Sequence, residues 1–490
     1  MKASAQGLVR LLSLISLALI IASCAVGARY QDRTQDINDL ILSGDFSGAS
    51  ESLDKNKFLS KSKNRLLYLM EKGKVEHMNG NYEASNKYLE EAYILIDDGI
   101  KTGVGRTVTS KLVNPMQEPY KGEDFEKVII HYYKALNYFY LNDSQAALVE
   151  AKRINIKLLA LNDKYTNHKN KYAQDAFSQI LQGILYEATG DINNAFIAYR
   201  NAETIYYEND GNYFDVPIPL QLKKDILRTS KAMGFRDEYN FYKKRYPEVK
   251  EEPFHPGEAI VFWENGQGPQ KSQTKLSATT AGGVFVATYD DGEEDLVITL
   301  PAGSSTSINV IAIPKYEQRE SYYSDAFLIA QDNKEYPLQI AEDFYAIAKQ
   351  SLRDRMLREV ADLIIRFSAK KAASFGLSKL AEEIGGKEAG KITQILTEGA
   401  GALLEEADTR NWQTLPATIS YTRVPLRENE INIFTIKKIG PTQDSDILEI
   451  PYKKGLQIVS YFDLGRTIGK NKGSSDPDKN DDPQTEAEED

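Results

Sequence analysis

Apolar positions along this 490-residue chain recur with two different periods, and the change falls near Tyr246. Before it, the spacing is helical. The fullest segment reads Gly183-x-x-Tyr186, Gly190-Asp191-Ile192, Ala195, Tyr199 and Ala202. Small residues at Gly183, Ala195 and Ala202 let two antiparallel helices approach closely, Gly190 turns the chain between them, and Tyr199 fills the gap. Gly73, Gly80-Asn81-Tyr82, Leu89 and Ala92 repeat the pattern, with Ser85 in the alanine place. Gly44-Asp45-Phe46, Ala49 and Leu53 repeat it in part, and Tyr132 to Arg153 keeps the period and Ala147 but has Asn142 where glycine is expected.

This pattern resembles the tetratricopeptide repeat, a helical hairpin of about 34 residues. Gly44 and Gly80 are one such period apart, whereas the longer interval to Gly190 implies inserted material, including a Gly-, Pro- and Thr-rich stretch from Asp98 to Gly122 that reads as a loop. Stacked repeats bury a common core and leave a concave groove. Glu71, Lys74, His77 and Glu187 fall on its face and are the expected partner-binding residues.

After Pro247, Pro253 and Pro256 the period drops to two. Ala259–Trp263, Val284–Thr288, Leu296–Leu300, Ile308–Ile313, Ala417–Val424, Ile431–Ile436, Ile447–Ile450 and Leu456–Phe462 read as short strands, with Glu264-Asn265-Gly266 as a turn. Their spacing suggests an antiparallel sandwich. Phe344, Ala348, Leu352, Met356, Leu363 and Phe367 form a helical stripe, and the Ala- and Gly-rich stretch to Ala407 suggests a second hairpin. The expected fold class is α+β and multidomain: a tetratricopeptide-like helical solenoid over 35–246, then an antiparallel β-sandwich-like domain over 254–465 with a helical insert at 341–407. Residues 466–490 hold no aromatic and many carboxylates, too polar to bury a core, and are expected to be a disordered acidic tail.

The amino terminus changes the picture most. Lys2 and Arg10 precede an apolar run from Leu11 to Ala22 that ends in Ile21-Ala22-Ser23-Cys24, and Cys24 is the only cysteine. A positive region, an apolar core and small residues before a cut site make a signal peptide over 1–23. The last four residues resemble the lipobox of bacterial lipoproteins. That resemblance implies lipidation of Cys24, a linker over 24–34, and a membrane-tethered location outside the cytoplasm. Ala25 in place of Asp is similar to lipoproteins sorted to the outer membrane. Losing Lys2 and Arg10 moves the formal charge from -11 to -13. So acidic a chain is a poor binder of nucleic acid, and with Cys24 acylated no thiol remains for a disulfide or a metal.

Catalytic motifs are missing. His77, His131, His168 and His255 have no metal-ligand spacing, and there is no G-x-S-x-G elbow. Gly385 to Lys391 approaches a phosphate loop, but Ile392 stands where a hydroxyl should meet magnesium and the preceding residues read as helix, so no nucleotide is expected. Gly103-Val104-Gly105 and Gly266-Gln267-Gly268 read as turns, Trp263 and Trp412 as core or interface residues, and no cofactor is expected.

Three stretches, Pro119–Glu126 running into His131–Tyr138, Glu264–Pro269 and Asp408–Pro416, resemble a family of poorly characterised Gram-negative lipoproteins with a tetratricopeptide-like first half. The resemblance implies an envelope protein near peptidoglycan-synthesis activators and no enzyme activity. The reading is a lipid-anchored scaffold that recruits envelope proteins or peptide segments through the repeat groove. The alternative is an enzyme of peptidoglycan or surface polysaccharide, using carboxylates on the β-rich domain.

Overall fold

The computed structural model describes residues 30–102, 116, 118–163, 172–281, 284–289, 296–299, 308–355, 407–465 and 468–470. Cys24 and the expected signal peptide, Gly103–Gly105, His168, the Gly385–Ile392 stretch and most of the expected 341–407 insert lie outside these residues.

Five antiparallel helical hairpins make up the first half. They are α1 (Gln35–Leu42) with α2 (Phe46–Lys55), α3 (Arg65–Met78) with α4 (Tyr82–Thr102), α5 (Asp124–Tyr140) with α6 (Ser144–Asp163), α7 (Ala176–Ala188) with α8 (Ile192–Glu208), and α9 (Leu220–Ala232) with α10 (Arg236–Arg245). Each turns at one residue with positive φ: Gly44, Gly80, Asn142, Gly190 and Gly234. Asn142 at φ 61° takes the glycine role because its short polar side chain tolerates the left-handed region. Asp45, Asp143 and Asp191, each just after the turn residue, then accept a backbone N–H three residues on and start the return helix. Helix α4 continues through Thr102, into the stretch expected to be a loop.

Close helix approach is visible inside two hairpins. A methyl group on Gly183 would overlap the Tyr199 ring, and one on Gly73 would stand 2.6 Å from Leu89 Cδ2. Ser85, in the alanine place, donates to Gly73 O at 2.6 Å. Ala195 and Ala202 are fully buried, as is Tyr199, while Tyr82 closes over His77 and Tyr140.

A small hairpin of β1 (Asn212–Tyr213) and β2 (Val216–Pro217) follows α8. The second half holds β3 (Gly257–Gln267), β4 (Gln270–Ala281), β5 (Val284–Tyr289), β6 (Leu296–Thr299), β7 (Ile308–Glu317), β8 (Asp325–Ala330), β9 (Glu335–Asp343), β10 (Pro416–Pro425), β11 (Ile431–Ile439), β12 (Asp444–Pro451), β13 (Gly455–Asp463) and β14 (Ile468–Lys470). Residues 344–355 are helical.

This sheet structure corrects the antiparallel sandwich. One sheet runs in the order β12-β11-β8-β9-β10-β3-β13-β14, and β13 lies parallel to β3. A separate antiparallel sheet has the order β6-β5-β4-β7. Alternation along β3 shows how the large sheet is used. Ile260 and Phe262 join the core shared with the helices, whereas Ala259, Val261 and Trp263 face a second core formed by β8 to β13. Because one face of a single sheet encloses its own core, the sheet is curled like a barrel. The first core is continuous from Tyr30 through the helices to Ile419 and Phe462, so the halves expected to be separate domains share one interior.

Three further expectations are corrected. Glu264-Asn265-Gly266 is not a turn: β3 runs through it, with Glu264 opposite Ile419 and Asn265 opposite Thr418. Ile468–Lys470, inside the tail expected to be disordered, pairs with β13. Tyr30 and Thr34, assigned to the linker, are buried, and Gln31 Nε2 donates to Lys271 O at 3.0 Å.

Candidate functional site

The four groove residues expected to meet a partner are buried, at 0 to 9 % exposure. The concave face of the helical array is occupied by the chain's own second half, through three zones of paired charge. A buried charge without a partner costs several kcal/mol, so each charged group on this face is matched from the other side.

In the first zone a loop, Asp408–Leu415, with a turn at Gln413–Thr414, runs along α3 and α5. Glu71 of α3 accepts the backbone N–H groups of Gln413 at 2.9 Å and Thr414 at 3.2 Å, and also the Tyr30 hydroxyl at 2.9 Å. Glu126 of α5 accepts from Trp412 N at 2.6 Å, Tyr120 Oη at 2.6 Å and Glu123 N at 2.8 Å. Arg410 reaches Asn64 Oδ1 at 2.8 Å and Glu118 O at 3.1 Å while held by Asp408. Burial raises the Glu71 carboxyl. Burial, then the neighbouring Glu123, lifts Glu126 to about 7. Burial works against the Glu123 charge too, but Arg355 and Lys271 outweigh it and hold that group at about 2. Both cations pair with Glu123 directly.

The second zone centres on Lys74. Its Nζ lies 2.5 Å from Glu264 Oε2 on β3, and 4.1 Å and 4.6 Å from the ring centres of Tyr133 and Phe462. Tyr133 Oη donates to the same Glu264 oxygen at 3.2 Å. Burial lowers the Lys74 ammonium, and Glu264 opposes that shift. Burial, then Lys74, drives the His77 imidazole down to about 3, so it is neutral near pH 7. A neutral ring whose Nδ1 lies 2.6 Å from Asn137 Oδ1 carries its proton there.

The third zone is a five-residue ionic cluster. Arg423 of β10 spans Glu187 Oε1 at 2.8 Å, Asp225 Oδ1 at 3.0 Å and Glu258 Oε2 at 2.8 Å. Arg228 of α9 adds Glu187 Oε2 at 2.6 Å, Asp225 Oδ1 at 3.1 Å and Glu258 Oε2 at 3.2 Å, and Tyr199 Oη donates to Glu187 at 2.7 Å. Burial penalises the Glu187 charge, yet Arg423 and Arg228 hold its carboxyl below the ordinary value.

The three stretches that carry the lipoprotein resemblance meet here. Asn411 Nδ2 donates to Pro269 O at 2.8 Å, Gly268 N donates to Leu415 O at 2.6 Å, and Glu126 holds Trp412. Sequence reasoning located these segments without linking them. It missed Arg228, Arg423 and Asp225, which belong to no motif and are brought together only by folding.

As chemistry, these zones are cement. Their carboxylates are spent on cations and backbone donors, and no group of three or more His, Cys, Asp or Glu side chains among the described residues could hold a metal. A separate pair of acids, Asp175 at the start of α7 and Glu342 on β9, is raised by burial. Both are buried, out of reach of a polysaccharide. An open depression of about 300 Å³ lies between α6 and α8, lined by Asn155, Gln179, Asn201, Thr204 and Glu208. No described helix is long and apolar enough to cross a membrane.

No family model and no curated protein sequence matches the chain. Among solved structures, MamA is similar at 18 % identity over 46 % of this chain and 96 % of its own, with a TM-score of 0.28. The repeats of a Podosopora anserina kinesin light chain are similar at 16 % identity over 45 % of this chain and 93 % of theirs, TM-score 0.30. A tetratricopeptide repeat protein from Parabacteroides merdae is similar at 13 % identity over 46 % and 80 %, TM-score 0.19. The description of the first half as a tetratricopeptide-like array rests on its own five hairpins and their turns.

Proposed function

We propose that this protein is a lipid-anchored cell-envelope scaffold, tethered at Cys24 to the outer membrane, that recruits partner proteins. The observation that carries the reading is the capture of a loop segment by the helical array. Glu71 and Glu126 bind three consecutive backbone N–H groups of the Trp412–Thr414 loop, which is peptide recognition turned inward. A helical array in this state presents its β-rich half as a rigid head, and partners meet the head rather than the groove.

The lipobox-like Ile21–Cys24 supports the anchor. Cell fractionation and in-cell crosslinking of the wild type against Cys24→Ala test the whole reading. The wild type should sediment with outer membrane and enrich a defined set of envelope proteins. The variant should move to the soluble fraction and lose them. Membrane retention of Cys24→Ala would remove the anchor, and identical crosslinks from both forms would remove the tethered scaffold.

A further inference from the structure

One feature of the β-rich half is not accounted for by its junction with the helices: the seam of the curled sheet. β12 and β13 are consecutive strands joined by Tyr452, Lys453 and Lys454 alone, a connection of hairpin length. They nevertheless stand at opposite ends of the run β12-β11-β8-β9-β10-β3-β13, with no ladder between them.

Side chains cross the space instead. Tyr461 Oη donates to Asp446 Oδ2 at 2.5 Å, and Gln457 Nε2 donates to Pro451 O at 3.2 Å. Lys438 Nζ lies 2.9 Å from Asp446 and 3.1 Å from Asp463. Strands that touch through side chains but not backbone fit a sheet short of one member, a gap of roughly two spacings of ~4.8 Å.

β12 contains no lysine and its only proline is Pro451 at the end, although Asp444, Asp446 and Glu449 put charge along it. Inside the seam, Leu448, Ile450 and Val459 present apolar surface. Outside it, Ile447, Ile433 and Ile431 are 45, 39 and 57 % exposed. The outer face of β11 and β12 beside the gap therefore carries exposed isoleucines among Thr435, Lys437, Ser445 and Glu449. β14 shows how a strand enters: it pairs antiparallel with β13 from Asp463 to Tyr461. Gly455–Ser460 carries no ladder on that side among the described residues.

We propose that the seam is a strand-acceptor site. An extended segment of a partner protein, apolar at alternate positions, enters between β12 and β13 in line with β14 and completes the barrel. Main-chain pairing with both edges would supply affinity. Pockets against Val459 and Leu448 within, and Ile447 without, would supply selectivity. The inference rests on the scaffold reading and names its docking surface. Its test uses no membrane, so a failure here leaves the anchor untouched.

The probe is a fluorescent nine-residue peptide alternating Val and Thr between terminal lysines, with a copy N-methylated at alternate residues as control. Anisotropy titrations use the full chain, Ile447→Lys, Val459→Glu and Ile468→Pro, each checked for its far-ultraviolet spectrum. The peptide should bind the full chain, its N-methylated copy at least tenfold more weakly. Ile447→Lys, at an exposed position that the fold does not need, should weaken binding at least threefold. Val459→Glu should abolish it. Equal binding of both peptides, or binding indifferent to Ile447→Lys and Val459→Glu, overturns the site, as does no binding to any form. Binding seen only after Ile468→Pro releases β14 would put the chain's own carboxy-terminal segment in the seam and overturn the external partner.

Discussion

The β-rich half has two boundaries, and they are finished in opposite ways. Toward the helices, charged groups are answered: Glu71 and Glu126 by backbone N–H groups, Lys74 by Glu264, Glu187 by two arginines. Toward itself, between β12 and β13, backbone edges are left without a ladder and isoleucines stand in the open. Burial explains the difference. An interior charge must be paired or the fold fails, whereas an exposed strand edge can be solvated at small cost and kept for a partner. The junction therefore belongs to stability and the seam to recognition, although the sequence pattern suggests recognition at the junction.

The sharpest way to break this contrast is Arg423→Ala. It leaves Glu187, Asp225 and Glu258 sharing Arg228 alone, and losing one partner of a buried ionic cluster costs about 3–5 kcal/mol. Urea unfolding should show that loss, with helical ellipticity and tryptophan emission falling together, since the halves share one core. Two separated transitions would show that the halves fold independently.

Gly183→Ala comes next. Its methyl would overlap the Tyr199 ring within one hairpin, for about 1–3 kcal/mol of overpacking. The same denaturation curves measure it, and binding at the seam should be unchanged.

The smallest effect is a pH dependence at the seam. Burial raises the Asp463 carboxyl to about 6, against the opposing pull of Lys438. The folded form therefore keeps a proton that the unfolded chain has lost between roughly pH 4 and 6, so this group makes stability fall as pH rises through that window. Asp463→Asn should make that part of the stability–pH curve less steep.

Local geometry was legible in the chain. Gly44, Gly80 and Gly190 are turn residues because only a left-handed residue reverses the helix there, and the fit of Gly183 to Tyr199 follows from the size of the two side chains. The turn at Gly234 escaped notice because the hairpin around it is unusually polar, with Arg236, Asp237, Glu238, Lys243 and Lys244 on its second helix. β4 and β9 escaped because their Thr, Gln and Glu residues blur the alternation, and β8 because Ala326–Ala330 is a short apolar run without alternation.

What could not be read was partnership. Glu71, Lys74, His77 and Glu187 lie on the face the repeat pattern gives them, but nothing local says that Gln413, Glu264 and Arg423 come from hundreds of residues away to cover them. Glu264-Asn265-Gly266 has the composition of a turn. Only the buried Lys74 opposite explains why a glutamate continues a central strand.

Tyr30 carries a consequence for the geometry of the proposed anchor. Its ring is sealed beneath Phe58 and its hydroxyl is fixed to Glu71, so the leash from a lipid on Cys24 ends there. Only residues 25–29 lie between, and six chain steps span at most about 20 Å when fully stretched. An acylated molecule would lie almost flush against the headgroups with its first helical hairpin beneath it. Its working radius would be set by the width of its own body, and anything it grasps would be held at the bilayer surface.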